Sequence, residues 1–379
     1  MKKALPAETL GKTWDSLVTS MGEPGRWSIV QRVVKDGSDV RGLRVAFERG
    51  ALDALVTVAP TTQEVSGLFF KPAAKEAAAR ASAPYVKAAA FHTENVSVGS
   101  EPFLLSGTLL VPNGAGPFPA AVLVHGSGPH DRDETIGASK PFKDIAEGLA
   151  SRGVAVLRYD KRTFQHGQKL TNAISLDDEV VNDAIAAAVV LGLRRDVGRV
   201  FVVGHSLGAL LAPEIAMRSI AQKVPVAGVA LLAPPGRPPL DSVLMQLRYL
   251  DAPAKDIAEV ERQIALFKSG KLGTGTILGA PATYWQDWST RDGVGMARKL
   301  HVPVLVLRGE RDYQVTDDDI ATWRKGLAGT PRVDIATVAS CNHLFIEGTG
   351  KPGPAEYETP GYVQEGVIVR LAKFLGGAP

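Results

Sequence analysis

The sequence predicts an α/β chain: a mostly parallel sheet covered by helices on both faces, preceded by a small α+β unit. Three observations carry this. From Tyr85 onward, apolar runs such as "AAVLVHG", "VAVLRYD", "RVFVVGH", "VAGVALLAPP" and "VPVLVLRGERD" alternate with amphipathic stretches. Near-continuous apolar strands between helices are the pattern of a parallel sheet buried on both faces. Residues 1–71 read differently, as one helix and then β-rich runs. Between the two lies "PAAKEAAARASAP", residues 72–84, alanine-rich, charged and bounded by prolines, which reads as a linker with some helical tendency.

In order along the chain, "AETLGKTWDSLVTSMG" places Leu10, Trp14, Leu17, Val18 and Met21 at helical spacing. The runs that follow, broken at "KDGSD", "ERGA" and "TTQE", predict an antiparallel meander of three or four strands. The main unit, residues 85–379, opens with two β-like runs, "VKAAAFHTENVSV" and "FLLSGTLLVP". Helices are then expected over "KPFKDIAEGLASRG", "LDDEVVNDAIAAAVVLGLRR", "LGALLAPEIAMRSI" and "DDDIATWRKGLA", and a last strand over "RVDIATVAS". Residues 236–296 interrupt the rhythm. They read as helical, carry "PATYWQDW", and are expected to sit as an insertion over one end of the sheet.

Composition narrows the function. The chain has 379 residues, 45% hydrophobic and 22% charged, enough to build a core without a disulfide or metal staple. A single cysteine, Cys341, excludes an intramolecular disulfide. The net charge of +3 comes from scattered lysines and arginines, so nucleic acid is not an expected partner. No run of 18 apolar residues occurs, so no membrane span is expected. The start, "MKKALPAETLGKTW", lacks the apolar stretch of a signal peptide. The chain as it stands reads as cytoplasmic, or as exported if a leader has been removed.

The chemistry centres on "VVGHSLGAL". Gly204, His205, Ser206, Leu207 and Gly208 form G-x-S-x-G, a weak signal alone. Its context is specific: an apolar strand runs into it and a helical run leaves it, which is the setting of a nucleophile elbow. There Ser206 is held in a strained turn with its hydroxyl exposed, while the new helix N-terminus aims N–H groups at an anion forming beside it. The competing reading is a surface turn with an incidental serine. Pro213 inside the following helix is the discordant feature, expected to kink it or leave a carbonyl unpaired.

A serine hydroxyl needs a base. In this fold the partners follow as serine, acid, histidine. Asp312, just past "VPVLVLRG", is the expected acid, with Glu310 as the nearest substitute. Asp317, Asp318 and Asp319 read instead as the first turn of a helix capped by Thr316. His343, after the last strand, is the expected base; five of the other histidines precede the nucleophile or acid, and His301 lies at the wrong end of its strand. Ser206, Asp312 and His343 then form a triad in which His343 accepts the serine proton and Asp312 fixes its tautomer.

With these residues placed, residues 85–379 resemble the α/β-hydrolase superfamily. More narrowly they resemble bacterial carboxylesterases with an "HGSGP-x-DRD" loop, a "YDKR" loop, a "GHS-x-G" elbow, "GERDYQV" and a late "NH-x-F". These are found at Gly126–Asp133, Tyr159–Arg162, Gly204–Gly208, Gly309–Val315 and Asn342–Phe345. The resemblance implies an α/β-hydrolase fold with a helical lid insertion, a small-molecule ester as substrate, and no cofactor or metal. Many relatives also carry a small amino-terminal α+β domain like residues 1–71. After "YDKR" this chain reads "TFQHG" where relatives usually continue with glycines, so that rim departs from the pattern.

The loop "HGSGPHDRDE" admits several readings. His130, Asp131, Asp133 and Glu134 offer metal ligands, but the run is local and no second cluster supports it. The phosphate-loop pattern is missing, and the literal G-x-G-x-x-G in "GTGKPG" contains proline and opens no helix. The loop after the first central strand fits an oxyanion loop. Ser127 is the expected backbone donor, with Gly128 next, and Leu207 supplies the other N–H. His125 is expected to pack beneath, and Asp131, Arg132 and Asp133 to brace the loop or touch substrate. Gly126, Gly128, Tyr284, Trp285 and Trp288 are expected to bind substrate, although the three aromatic residues also suit packing within the lid.

The expected activity is that of a serine carboxylesterase acting on short to medium acyl chains through an acyl-enzyme. A thioesterase or small peptidase uses the same triad. A binding protein with a degenerate hydrolase domain is the alternative from another class. The exposed edges of the amino-terminal meander also suit self-association into a homo-oligomer.

Overall fold

The computed structural model describes residues 7–35, 38–48, 50–58, 65–72, 80–170, 174–273 and 275–378. Residues 73–79 of the expected linker and the break at 61–64 lie outside them. The chain forms two compact units, residues 1–81 and 82–379.

In the first unit, α1 (Ala7–Met21) is followed by β1 (Pro24–Lys35), β2 (Ser38–Phe47), β3 (Gly50–Val58) and β4 (Val65–Pro72). They pair in sequence order, all antiparallel, so β1 and β4 are the edges. Trp14, Leu17, Val18 and Met21 of α1 pack on Val45, Phe47 and Leu52. That is the helical spacing of α1 meeting the alternate residues of two strands.

The second unit holds an eight-stranded sheet. In chain order come β5 (Phe91–Val98), β6 (Leu105–Pro112), β7 (Phe118–Val124), α2 (Pro141–Ala150), β8 (Ala155–Tyr159) and the short α3 (Arg162–Gln165). A π-helical turn, Asp177–Val181, leads into α4 (Asn182–Gly192), then β9 (Val197–His205), α5 (Leu207–Ala221) and β10 (Val226–Leu232). The insertion carries α6 (Pro239–Tyr249), α7 (Ala254–Lys268), the hairpin β11 (Thr276–Ile277) and β12 (Ala280–Pro281), α8 (Ala282–Ser289) and α9 (Gly293–Lys299). The chain closes with β13 (Val304–Gly309), α10 (Asp317–Gly326), β14 (Val333–Val338) and α11 (Glu365–Leu375).

The spatial order is β14-β13-β10-β9-β7-β8-β6-β5. The run from β14 to β8 is parallel, and β6 and β5 join antiparallel at one edge. The period of two in strand side chains divides the core. Val122, Val124, Leu157, Val202, Leu231 and Val306 face one way, against α4 and α5. Ala121, Leu123, Val156, Val203, Leu232 and Leu307 face the other way, against α2 and α11. Both faces are therefore dry, which explains why these strands are apolar throughout.

From β7 the chain steps to β8 on one side and then to β9 on the other. Such a reversal opens a crevice at the carboxyl ends of the strands. The segments after β7, β9, β13 and β14 are those that carry Ser127, Ser206, Asp312 and His343. Helix α5 runs continuously through Pro213, which is buried within it. Of the two outcomes expected there the helix takes the second: it continues, and the Ala209 carbonyl loses its usual i+4 donor.

Trp323 of α10 is fully buried and donates from Nε1 to the Pro235 carbonyl at 3.1 Å. Replacing it with alanine removes both the ring and the donor, and is expected to destabilise the second unit by about 3–5 kcal/mol, read by urea denaturation.

Candidate active site

Ser206 joins β9 to α5 with φ 53° and ψ −117°, a backbone conformation that non-glycine residues avoid. The neighbouring contacts explain how it is held. A Cβ on Gly204 would collide with the Gly208 carbonyl, and one on Gly208 with the carbonyls of Val124 and His125. Strand, helix and the end of β7 thus meet backbone to backbone, and only glycine fits at both positions. The Ser206 N–H donates to the Leu232 carbonyl at 2.8 Å.

His343 and Asp312 come from two neighbouring loops. The Nδ1 of His343 lies 2.7 Å from Oδ2 of Asp312, and both side chains are buried. The other oxygen of Asp312 accepts the N–H groups of Gln314 and Val315 at 2.8 and 2.9 Å. A carboxylate only accepts, so Nδ1 carries the proton and Nε2 is left as the basic nitrogen. Arg308 holds the same loop, donating to the carbonyls of Val315 and Asp312 at 2.8 and 3.3 Å. Glu310, the substitute acid, is turned elsewhere and accepts the Ser340 N–H at 2.9 Å. Thr316 caps α10, where its N–H donates to Asp319 at 2.8 Å.

Beside Ser206 lies a cavity of about 710 Å³. Ser127, Gly128 and Ser206 line one part of it, and Tyr284, Trp285 and Trp288 of the insertion line another. Trp285 and Trp288 stack with ring centres 5.8 Å apart. These rings line the cavity, and Trp285 also anchors the insertion by donating to the Ile277 carbonyl at 2.9 Å. Burial and the nearby Glu179 carboxylate raise the Tyr284 phenol, so it stays protonated as a donor.

Gly126 differs from its expected substrate-binding role. It is absent from the cavity wall, and its N–H is taken by Glu134 Oε1 at 2.7 Å. Its place is tighter: a Cβ there would lie 3.3 Å from that of Ser206. Leu207 is buried as the first residue of α5, a position whose N–H has no intrahelical acceptor.

Lys161 is the residue that sequence reasoning left without a role. It is 1% exposed and donates to the carbonyls of Gly126 and Gly128 at 2.8 and 2.9 Å, while pairing with Glu179 at 2.7 Å. The Gly126–Ser127 peptide is trans, so a carbonyl aimed at Lys161 sends the Ser127 N–H the opposite way. The Ser127 carbonyl is itself held by His130 Nε2 at 2.7 Å. The available signal was the charged "DKR" directly after an apolar strand.

The remaining side chains of "HDRDE" brace the loop. Arg132 pairs with Asp160 at 2.7 Å, and Asp133 pairs with Arg158 and Lys140. Asp131 receives the Thr135 hydroxyl at 2.7 Å. None of the residues from His130 to Glu134 lines the cavity. His125 packs beneath, against Phe142 and Tyr159, donating Nε2–H to the Asp131 carbonyl at 3.1 Å.

These strands, loops and connections are those of one family. Residues 121–351 match the alpha/beta hydrolase family, and the chain belongs to it. Among individual proteins it is similar to esterase EstD of Thermotoga maritima, 39% identical over 378 residues, covering 99% of this chain and 89% of the relative. Among solved structures it is similar to the esterase Pf2001 of Pyrococcus furiosus, with TM-score 0.49 and 16% identity over 76% of this chain and 91% of that one. It is also similar to Est1E of Butyrivibrio proteoclasticus, with TM-score 0.48 and 15% identity over 74% of this chain and 99% of that one.

Burial, helped by Lys161 and His130, holds the His125 imidazole down to about 4 from 6.5. An imidazole depressed on folding binds fewer protons in the folded state. Its contribution is full above pH 6.5 and is lost as pH falls toward 4. That loss is on the order of 3 kcal/mol. The stability difference between wild type and His125→Gln, followed by denaturant melts between pH 6.5 and 4.5, should therefore shrink on acidification.

Proposed function

We propose that the chain is a serine carboxylesterase that cleaves short- to medium-chain esters through an acyl-enzyme. The observation that carries this is the buried 2.7 Å pair of His343 and Asp312 in the same unit as the strained Ser206, which opens onto the cavity. The kinship with an esterase at 39% identity supports the ester as the substrate class.

Ser206 Oγ attacks the ester carbonyl while His343 Nε2 takes its proton. The carbonyl oxygen becomes an anion received by the N–H groups of Ser127 and Leu207. Collapse expels the alkoxide, which takes the proton from His343 and leaves as the alcohol. A water then gives its proton to His343 as its oxygen attacks the acyl carbon; collapse breaks the bond to Ser206 Oγ, which takes that proton back from His343, and the acid is released. Asp312 keeps the Nδ1 proton in place and stabilises the imidazolium. Ser127 is favoured as a donor by the way Lys161 turns the adjacent carbonyl, and Leu207 by its position at the start of α5. Loss of one such donor costs about 3 kcal/mol of transition-state stabilisation.

Residues 236–296 serve as the lid in this reading, and Tyr284, Trp285 and Trp288 as the wall that receives the ester. A cavity of about 710 Å³ is of small-molecule size.

A p-nitrophenyl ester series from acetate to laurate provides the test. Wild type should turn over, with kcat/KM greatest for the shorter chains, and Ser206→Ala should be inactive. Asp312→Asn should lower kcat by on the order of 10⁴. Activity retained in Ser206→Ala would falsify the assignment.

A further inference from the structure

Glu134 is fully buried, and its backbone lies in the left-handed region at φ 51°. A side chain with a Cβ pays strain there, and a buried carboxylate is costly to desolvate. Its surroundings explain both. Oε1 accepts the Gly126 N–H at 2.7 Å. Oε2 lies 3.0 Å from His205 Nδ1, at ion-pair distance but out of line for a hydrogen bond. His205 in turn reaches the His343 carbonyl from Nε2 at 3.0 Å, and the two rings lie 4.7 Å apart. A carbonyl only accepts, so Nε2 of His205 carries a proton, while Nδ1 faces the Glu134 carboxylate at ion-pair distance. The electrostatics agree. Burial opposes both charges most strongly, but His205 with His130 and His125 lowers the Glu134 carboxyl to about 2, and Glu134 with the His343 carbonyl and Asp312 raises the His205 imidazole.

Gly126 sits inside this group. A Cβ on it would lie 3.3 Å from Glu134 Oε1, 3.3 Å from Ser206 Cβ and 3.7 Å from His205 Nδ1. The peptide before Gly126 is pinned by Glu134 and the peptide after it by Lys161. Glycine has the widest conformational freedom, so both pins are needed to fix where the Ser127 N–H points.

We propose that Glu134 is a positioning residue. Through the Gly126 N–H and through His205 it ties the oxyanion loop, the serine elbow and the histidine loop into one arrangement. The inference rests on reading Ser206 as the nucleophile. Glu134 touches no substrate, so its loss should disturb the transition state more than ground-state binding.

Glu134→Gln keeps an acceptor for the Gly126 N–H and removes the charge that holds His205. It should fold with a lowered Tm, leave KM within about three-fold, and lower kcat by ten-fold or more, because small displacements of catalytic groups are costly. The rate at which a fluorophosphonate labels Ser206 should fall in step. A folded Glu134→Gln with kcat and labelling within about three-fold of wild type would overturn the proposal, as would equal losses in kcat, KM and Tm. If Glu134→Gln does not fold, His205→Gln reads the same chain from its other end, with the same split expected and the same outcomes against it. Ser206→Ala, assayed in parallel, separates the two levels: hydrolysis surviving in that variant removes the esterase reading itself, whatever Glu134→Gln does.

Discussion

The site depends on one close approach of backbone to backbone. Where β9 turns into α5, Gly204 and Gly208 meet, and Gly208 presses on the end of β7. That contact forces Ser206 into the left-handed region and starts a helix at Leu207. It also brings the Gly126 loop to within a methyl's width of the serine. The strain is sustained by the dry sheet on either side, whose strands are too well packed to relax. The parallel order supplies the rest, since it collects the segments after β7, β9, β13 and β14 at one edge.

Charge is then used to hold loops in place. Lys161 with Glu179, Glu134 with His205, and Arg132 with Asp160 put ion pairs around the segment that carries the proposed backbone donor at Ser127. Buried ion pairs are a poor way to gain stability. They suit a site whose donors must be aligned before the substrate arrives, because preorganised dipoles need no reorganisation during reaction. Each side chain from His130 to Glu134 has a separate bracing partner.

Much of this was legible in the sequence. Continuous apolar runs announced buried parallel strands, and the strand before G-x-S-x-G with the helical run after it announced the elbow. Order along the chain singled out Asp312 and His343, now found 2.7 Å apart. Long-range partners were not legible. Glu134 meets Gly126 and His205, and Lys161 meets Glu179, through folding rather than spacing. Gly126 resembled a substrate contact until the structure gave its N–H an acceptor. The closing helix α11, amphipathic and packed through Val367, Ile368 and Leu371, was readable by the same periodicity yet went unassigned. At Pro213 the sequence left a kink or an unpaired carbonyl open, and core packing on α5 keeps the helix continuous.

The most direct measurement is mass spectrometry of the intact chain after reaction with a fluorophosphonate, followed by peptide mapping. The account predicts one adduct per chain, on Ser206, formed quickly in the wild type and far more slowly in His343→Ala. An adduct on another residue, or labelling of Ser206 at an unchanged rate without His343, would contradict it.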